Sequence, residues 1–231
     1  MATQIQIQNP TKIYAYTQHV STVKMLEQLC GVNIMLLTQD RSRDPVQDIL
    51  TQIPPNEEAM LYTVLPLDKV VELLQKTPRL RIRLMQLDGS VIEKITGRPY
   101  DPKMEYSPDV VKAALRVVEV RNGSIRYMSF KELIDEIVEN GYKNVAVFND
   151  TMREGIRLAL QRLGADLELV KTCNDDSACV EINPLGHRDG YRVSFPGTAG
   201  RLTAGQIADM LFSSARIYHV EIDAETVPPC P

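Results

Sequence analysis

Long apolar runs are missing from this chain. Its longest aliphatic stretches, such as Ile34 to Leu37, hold only a few residues. A membrane-crossing helix needs about 20, so no membrane partner is expected. The opening residues MATQIQIQNP carry neither a basic start nor an apolar core, so a secretory leader is not expected. Cysteine is scarce: four residues, unevenly placed, do not read as a disulfide framework. That pattern points to buried or free thiols in a reducing, cytoplasmic setting. Histidine is scarcer still. His19, His187 and His219 fit no Ser/His/Asp or Cys/His arrangement. No catalytic residue can be assigned, and whether the protein is an enzyme stays open. Positive charge is not in excess either, with 26 Lys and Arg against 30 Asp and Glu for a net charge of −4. This argues against broad non-specific binding to nucleic acid but leaves room for a local basic patch.

Signature motifs are also lacking. Pro196 to Gln206 (PGTAGRLTAGQ) is glycine-rich but has no G-K-[ST] ending and does not spell G-x-G-x-x-G. Cys173, Cys179 and His187 have the spacing C-x5-C-x7-H, which matches no common zinc pattern, and a fourth ligand is unassigned. Neither a metal nor a cofactor is expected. His187-Arg188-Asp189 repeats a kinase triplet in letters only, without the glycine-rich loop and lysine before it or DFG after it. Leu202 to His219 faintly resembles a helix-turn-helix, but the turn lacks the usual glycine and only Arg216 is basic where a reading helix would lie. There is no internal repeat and no low-complexity segment.

What is present is the alternation of an α/β protein. Residues Tyr142 to Val170 read as strand, turn, helix, turn, strand. Val145 to Phe148 form a short apolar run, and Thr151 with Glu154 fits a capping box. Met152, Ile156, Ala159, Leu160 and Leu163 recur at helical spacing, and Gly164 stands where a left-handed helix end is needed. At 231 residues with 44% hydrophobic content, the chain suits one large domain or two small ones.

The first 96 residues repeat β-α-β-α-β-α-β. Strands are expected at Ile13–Tyr16, Val32–Leu37, Met60–Leu65 and Leu80–Leu87. Asp44-Pro45 marks a helix start, and Thr38 to Asp44 a polar loop. Gly97 to Pro108 breaks the rhythm with three prolines and reads as a linker. Beyond it, Asn122-Gly123 predicts a type I′ hairpin. Ser129/Glu132 and Thr203/Gln206 predict capping boxes. Thr226 to Pro231 reads as a loose tail. The expected fold is α/β in two small lobes: residues 1–96 as a wound βαβαβαβ sheet, 97–108 as linker, and 109–231 as an α+β lobe of ferredoxin-like, split βαβ character.

Two kinds of site follow. Arg79, Arg81 and Arg83 alternate with Leu80, Ile82 and Leu84, with Lys76 just before them. Guanidiniums a pleat apart on one strand face could grip phosphates. The same pattern serves as a solvated face or a charged edge strand. No aromatic interleaves them, so base stacking is unsupported. This points to a non-catalytic binding or assembly protein for nucleic acid or a protein partner. The alternative is an enzyme or sensor for a nucleotide or other phosphate-bearing small molecule. Its site would lie at strand carboxyl ends, with Asn149, Asp150 and Thr151 at one junction and Gly197, Gly200 and Arg201 in the glycine-rich loop. Those residues also suit plain turns and caps. His19, with Ser21 and Thr22, stands at a similar junction, where an N-cap is the plainer reading.

Overall fold

The structure, a computed structural model, describes residues 11–101, 104–174, 178–183, 190–196 and 201–231. It is a mixed α/β protein with a seven-stranded mixed sheet, a three-stranded parallel sheet and, among the described residues, eight helices. No helix of the described residues is long and apolar enough to cross a membrane. The chain divides into two compact units. One runs to Gly123 and takes back Ile222–Pro231; the other is Ser124–Glu221. The stretch 97–108 falls within the first unit.

In the first unit, β1 (Lys12–Tyr16), α1 (Val20–Cys30), β2 (Met35–Leu36), α2 (Pro45–Gln52), β3 (Ala59–Thr63), α3 (Leu67–Lys76) and β4 (Leu80–Leu87) alternate as the sequence rhythm predicts. Pairing is parallel from β2 through β1 and β3 to β4. The order β2-β1-β3-β4 places β1 between its own successor and β3, so the direction of winding reverses there. Ile13, Ala15, Met60 and Tyr62 bury one face against Val23 and Leu26 of α1. The stripe Val46, Ile49 and Ile53 in and after α2 is fully buried. Asp44 caps α2 by accepting the Val46 amide, with proline at the first helical position. A short α4 (Gly89–Thr96), capped by Asp88, follows β4 and was not foreseen. Then come α5 (Pro108–Ala114) and β5 (Leu115–Met128).

In the second unit, α6 (Phe130–Glu139) opens on the Ser129/Glu132 capping box. Next come β6 (Asn144–Ala146), α7 (Asp150–Leu163), β7 (Glu168–Val170), β8 (Cys179–Glu181), β9 (Gly190–Ser194) and α8 (Ala204–Ser213). Helix α8 opens on the Thr203/Gln206 capping box. Strand β10 (Arg216–Val227) pairs antiparallel with β9. The small sheet is all parallel, in the order β7-β6-β8. The split βαβ order read from residue 144 onward is therefore divided between two sheets. The interior joins Phe130, Leu133 and Ile137 of α6 to Ile156, Ala159 and Leu160 of α7 and Ile207 and Leu211 of α8.

Four local expectations are corrected. Asn122-Gly123 makes no hairpin: β5 runs straight through, with residues 115–120 on β4 and β10 next in the sheet order. A turn signal is local, and ladder bonding to neighbouring strands overrides it. The Thr151/Glu154 box does not form. Asn149 caps α7 instead, since the helix already begins at Asp150 and the Asn149 side-chain oxygen accepts the Met152 amide (2.9 Å), while Glu154 turns to Arg157. Residues 226–231 are not a loose tail, since β10 extends to Val227 and Cys230 is bonded to Cys30. The cysteines are not free thiols: Cys30–Cys230 and Cys173–Cys179 are both disulfides. The expectation of a reducing compartment rested on unpaired thiols and loses that basis. Spacing along the chain hid the first pair, whose partners lie 200 residues apart.

Candidate functional site

A cleft of about 510 Å³ opens in the first unit, where the parallel strands end. Tyr16, Gln18 and His19 come from the end of β1, Val64 and Leu65 from the end of β3, and Gln39 to Arg43 from the loop after β2. Tyr16 and Thr63 are register partners, so the two strands finish level. Here the winding reverses, and the chain leaves β1 and β3 toward opposite edges. Such a crevice at strand carboxyl ends is where open α/β sheets take ligands.

The cleft wall is built from a buried carboxylate. Asp48 on α2 is 3% exposed, and its Oδ2 accepts both the Tyr16 hydroxyl (3.0 Å) and the Asp40 amide (2.9 Å). Burial, and then the bond to Asp48, push the Tyr16 hydroxyl up to about 12, so it stays protonated and donating. The loop is tied at three more points. Thr38 donates its amide and hydroxyl to Gln52 Oε1, each at 3.0 Å. Gln52 returns a bond to the Thr38 carbonyl (2.9 Å). The Ser42 amide and hydroxyl both donate to Asp40 Oδ1. These Ser42 bonds hold the Asp40 carboxyl below its ordinary range, and Arg43 pairs with its other oxygen at 3.2 Å. The exposed Arg41 and His19 stand at the same mouth.

Two helices begin at this edge without a side-chain cap. Helix α1 has His19 at its N-cap with no side-chain bond and no acid in its first turn. Helix α3 has Pro66 at its N-cap, likewise with no side-chain capping bond, and carries Asp68 in its first turn. First-turn amides have no partner within their own helix, and the helix dipole makes that end attractive to anions.

The arginine strand is placed differently from a free polyanion grip. Arg81 and Arg83 do share a face of β4, but neither is free: Arg83 is covered, and Arg81, though exposed, is engaged by Glu119. Arg83 is 4% exposed; its Nη1 donates to the carbonyls of Pro228 (3.3 Å) and Cys230 (2.9 Å) and to the Tyr62 hydroxyl (3.2 Å). Arg81 donates two bonds to Glu119 (2.7 and 3.1 Å). Lys76 pairs with Glu72. Arg79 is exposed in the turn before β4.

At the second-unit junction, Asn149 lies at the carboxyl end of the central strand β6, as read, and its side chain is the helix cap. Asp150 is paired with Arg153, which also donates to the Val147 carbonyl. Thr151 is exposed in the first turn of α7. Arg201 is exposed ahead of α8. Gly197, Gly200 and His187 lie outside the described residues. Cys173 and Cys179, weighed as zinc ligands, are consumed by their disulfide, and no cluster of metal-binding side chains forms among the described residues.

Sequence reasoning missed Asp48, Tyr16, Arg41 and Arg43. By sequence the TQDRSRD stretch reads only as a polar connection. An acid on the buried side of an amphipathic helix, Asp48 beside Ile49, was the available signal. Compared with protein-family models, curated proteins and solved structures, the chain matches none.

Proposed function

We propose that the protein binds a small anionic molecule, a nucleotide or other phosphate-bearing ligand, in the cleft at the ends of β1 and β3, as an enzyme or a sensor. The observation that carries this reading is the coincidence of the cleft with the reversal of winding, at a mouth bearing His19, Arg41 and Arg43. Planar guanidiniums match phosphate oxygens. The fixed loop and the two uncapped helices supply donors at little ordering cost. A nucleic-acid reading of the arginine strand is less well supported, because Arg83 lies beneath Pro228–Cys230 and Arg81 is engaged by Glu119.

The test is a thermal-shift screen of nucleotides and sugar phosphates against the full chain. A ligand of the cleft raises the midpoint in proportion to the logarithm of its concentration above its dissociation constant. Arg41→Ala should abolish that shift while leaving the unliganded midpoint unchanged. A flat screen, or a shift that Arg41→Ala leaves intact, overturns the assignment.

A further inference from the structure

We propose that the Cys30–Cys230 disulfide is a redox-operated clasp that seats the Pro228–Pro231 segment over Arg83, and that a dithiol reductant releases this segment. The seat is specific. Arg83 is 4% exposed on β4, and its Nη1 donates to the Pro228 and Cys230 carbonyls. The intervening Pro229 carbonyl accepts the Tyr62 hydroxyl at 2.7 Å. Three successive carbonyls thus meet one guanidinium and one phenol. A buried cation needs such acceptors, since stripping its water without replacing it is costly.

Among the described residues, these three carbonyl contacts and the disulfide are the polar and covalent ties of the segment. It follows β10, and three of its four residues are prolines without an amide, so it cannot extend the strand ladder. The disulfide adds a second tether beside β10, which keeps the carbonyls within reach of Arg83 and Tyr62 and raises their effective concentration. Cys30 and Cys230 are both half-buried rather than sealed, so a small dithiol can reach them.

The exchange balances. A thiolate of the reductant attacks one sulfur and forms a mixed disulfide. Its second thiolate then closes the reductant's own disulfide. The two electrons and two protons end on Cys30 and Cys230 as thiols. Water then replaces the three carbonyls around Arg83 and Tyr62. The clasp differs from Cys173–Cys179, whose two residues stand only six positions apart in the chain.

Cys230 carries the only amide in residues 228–231, which makes it a clean reporter. In nitrogen-15 spectra of the full chain, adding dithiothreitol should move the Cys230 amide to an unstructured position. Its exchange with water should speed up at least tenfold, and the Arg83 Nε resonance should shift. The Cys30→Ser/Cys230→Ser variant should show the same spectrum without reductant. Arg83→Met, with the disulfide intact, should keep the Cys230 amide ordered. Three outcomes overturn the clasp: a Cys230 amide unmoved after mass spectrometry shows both thiols alkylated, cysteines found unbonded in the protein as purified, or collapse of the whole spectrum on reduction.

Discussion

The two units place their polar groups differently. Every buried polar or charged side chain among the described residues, Thr17, Asp48, Thr63, Thr77 and Arg83, belongs to the first unit. The buried side chains that form the interior of the second are aliphatic or aromatic, with the Tyr191 hydroxyl, bonded to Glu136, as the polar group among them. Their βα junctions contrast in the same way. At β6 the junction satisfies itself, Asn149 closing the helix and Asp150 meeting Arg153. At β1 and β3 the helices start uncapped beside a cleft, and the buried polar network serves to hold the loop over it. A junction whose side chains are already committed offers a ligand fewer free groups. Buried polar groups are tolerated where they fix one arrangement of the chain, and here they fix the wall of the cleft and the seat of residues 228–230.

If the second unit depends on shape alone, a change of shape there should have the largest effect. Gly155 on α7 faces α8 so closely that a Cβ would lie 2.3 Å from Ile207 Cγ2 and 3.1 Å from the Ala204 carbonyl. Gly155→Val cannot fit without separating the helices. It should destabilise by about 3 kcal/mol or more, read as a fall in the denaturation midpoint. A loss below about 1 kcal/mol would mean the two helices are not locked together there.

The first unit should instead be most sensitive to loss of a polar group. Asp48→Ala leaves the Tyr16 hydroxyl and the Asp40 amide without their shared acceptor. A cost of about 2 kcal/mol is expected, together with loss of the ligand-induced thermal shift. Unchanged stability would show that water replaces the carboxylate and that the network does not organise the loop.

Much of the fold was legible in the sequence, and the limits of that reading have physical causes. The α/β alternation, the Asp44-Pro45 start and the Ser129 and Thr203 caps were readable because each is decided within a few residues. The common face of Arg81 and Arg83 was readable from strand period alone. What covers Arg83 was not, because the cover comes from residues 145 or more positions away. The same range hid the Cys30–Cys230 bond and turned the Asn122-Gly123 turn signal into unbroken strand. The cleft escaped for a different reason. Its donors are spread over three strand ends, and only the sheet order shows that these ends adjoin.

The second unit does hold one half-buried charge cluster, which offers a measure of how far its apolar character extends. Glu136 on α6 accepts the Tyr191 hydroxyl and two bonds from Arg126, and His219 stacks on the Tyr191 ring at 4.4 Å. Burial alone would raise the Glu136 carboxyl, but the Tyr191 and Arg126 bonds outweigh it and hold the group below its ordinary range. A carboxyl depressed in the folded state contributes stability above its unfolded value of about 4.3 and loses it as pH falls through the folded value. Tyr191→Phe should therefore cost about 1.5 kcal/mol at neutral pH and flatten the stability-against-pH curve below about pH 4. An unchanged acid limb would remove Glu136 from the account.

The smallest effects separate the two kinds of junction most directly. Asn149→Ala deletes a formed cap and should lower stability by about 1 kcal/mol without touching ligand binding. His19 stands at the N-cap of α1 but makes no capping bond. His19→Ala should therefore leave stability within about 0.5 kcal/mol, while reducing the thermal shift that a phosphate ligand gives. The crossed pattern is the informative one: stability lost at 149 and kept at 19, binding kept at 149 and lost at 19. If both substitutions instead cost stability alike and neither changes binding, the β1 junction is as closed as the β6 junction, and the cleft is only a gap between loops.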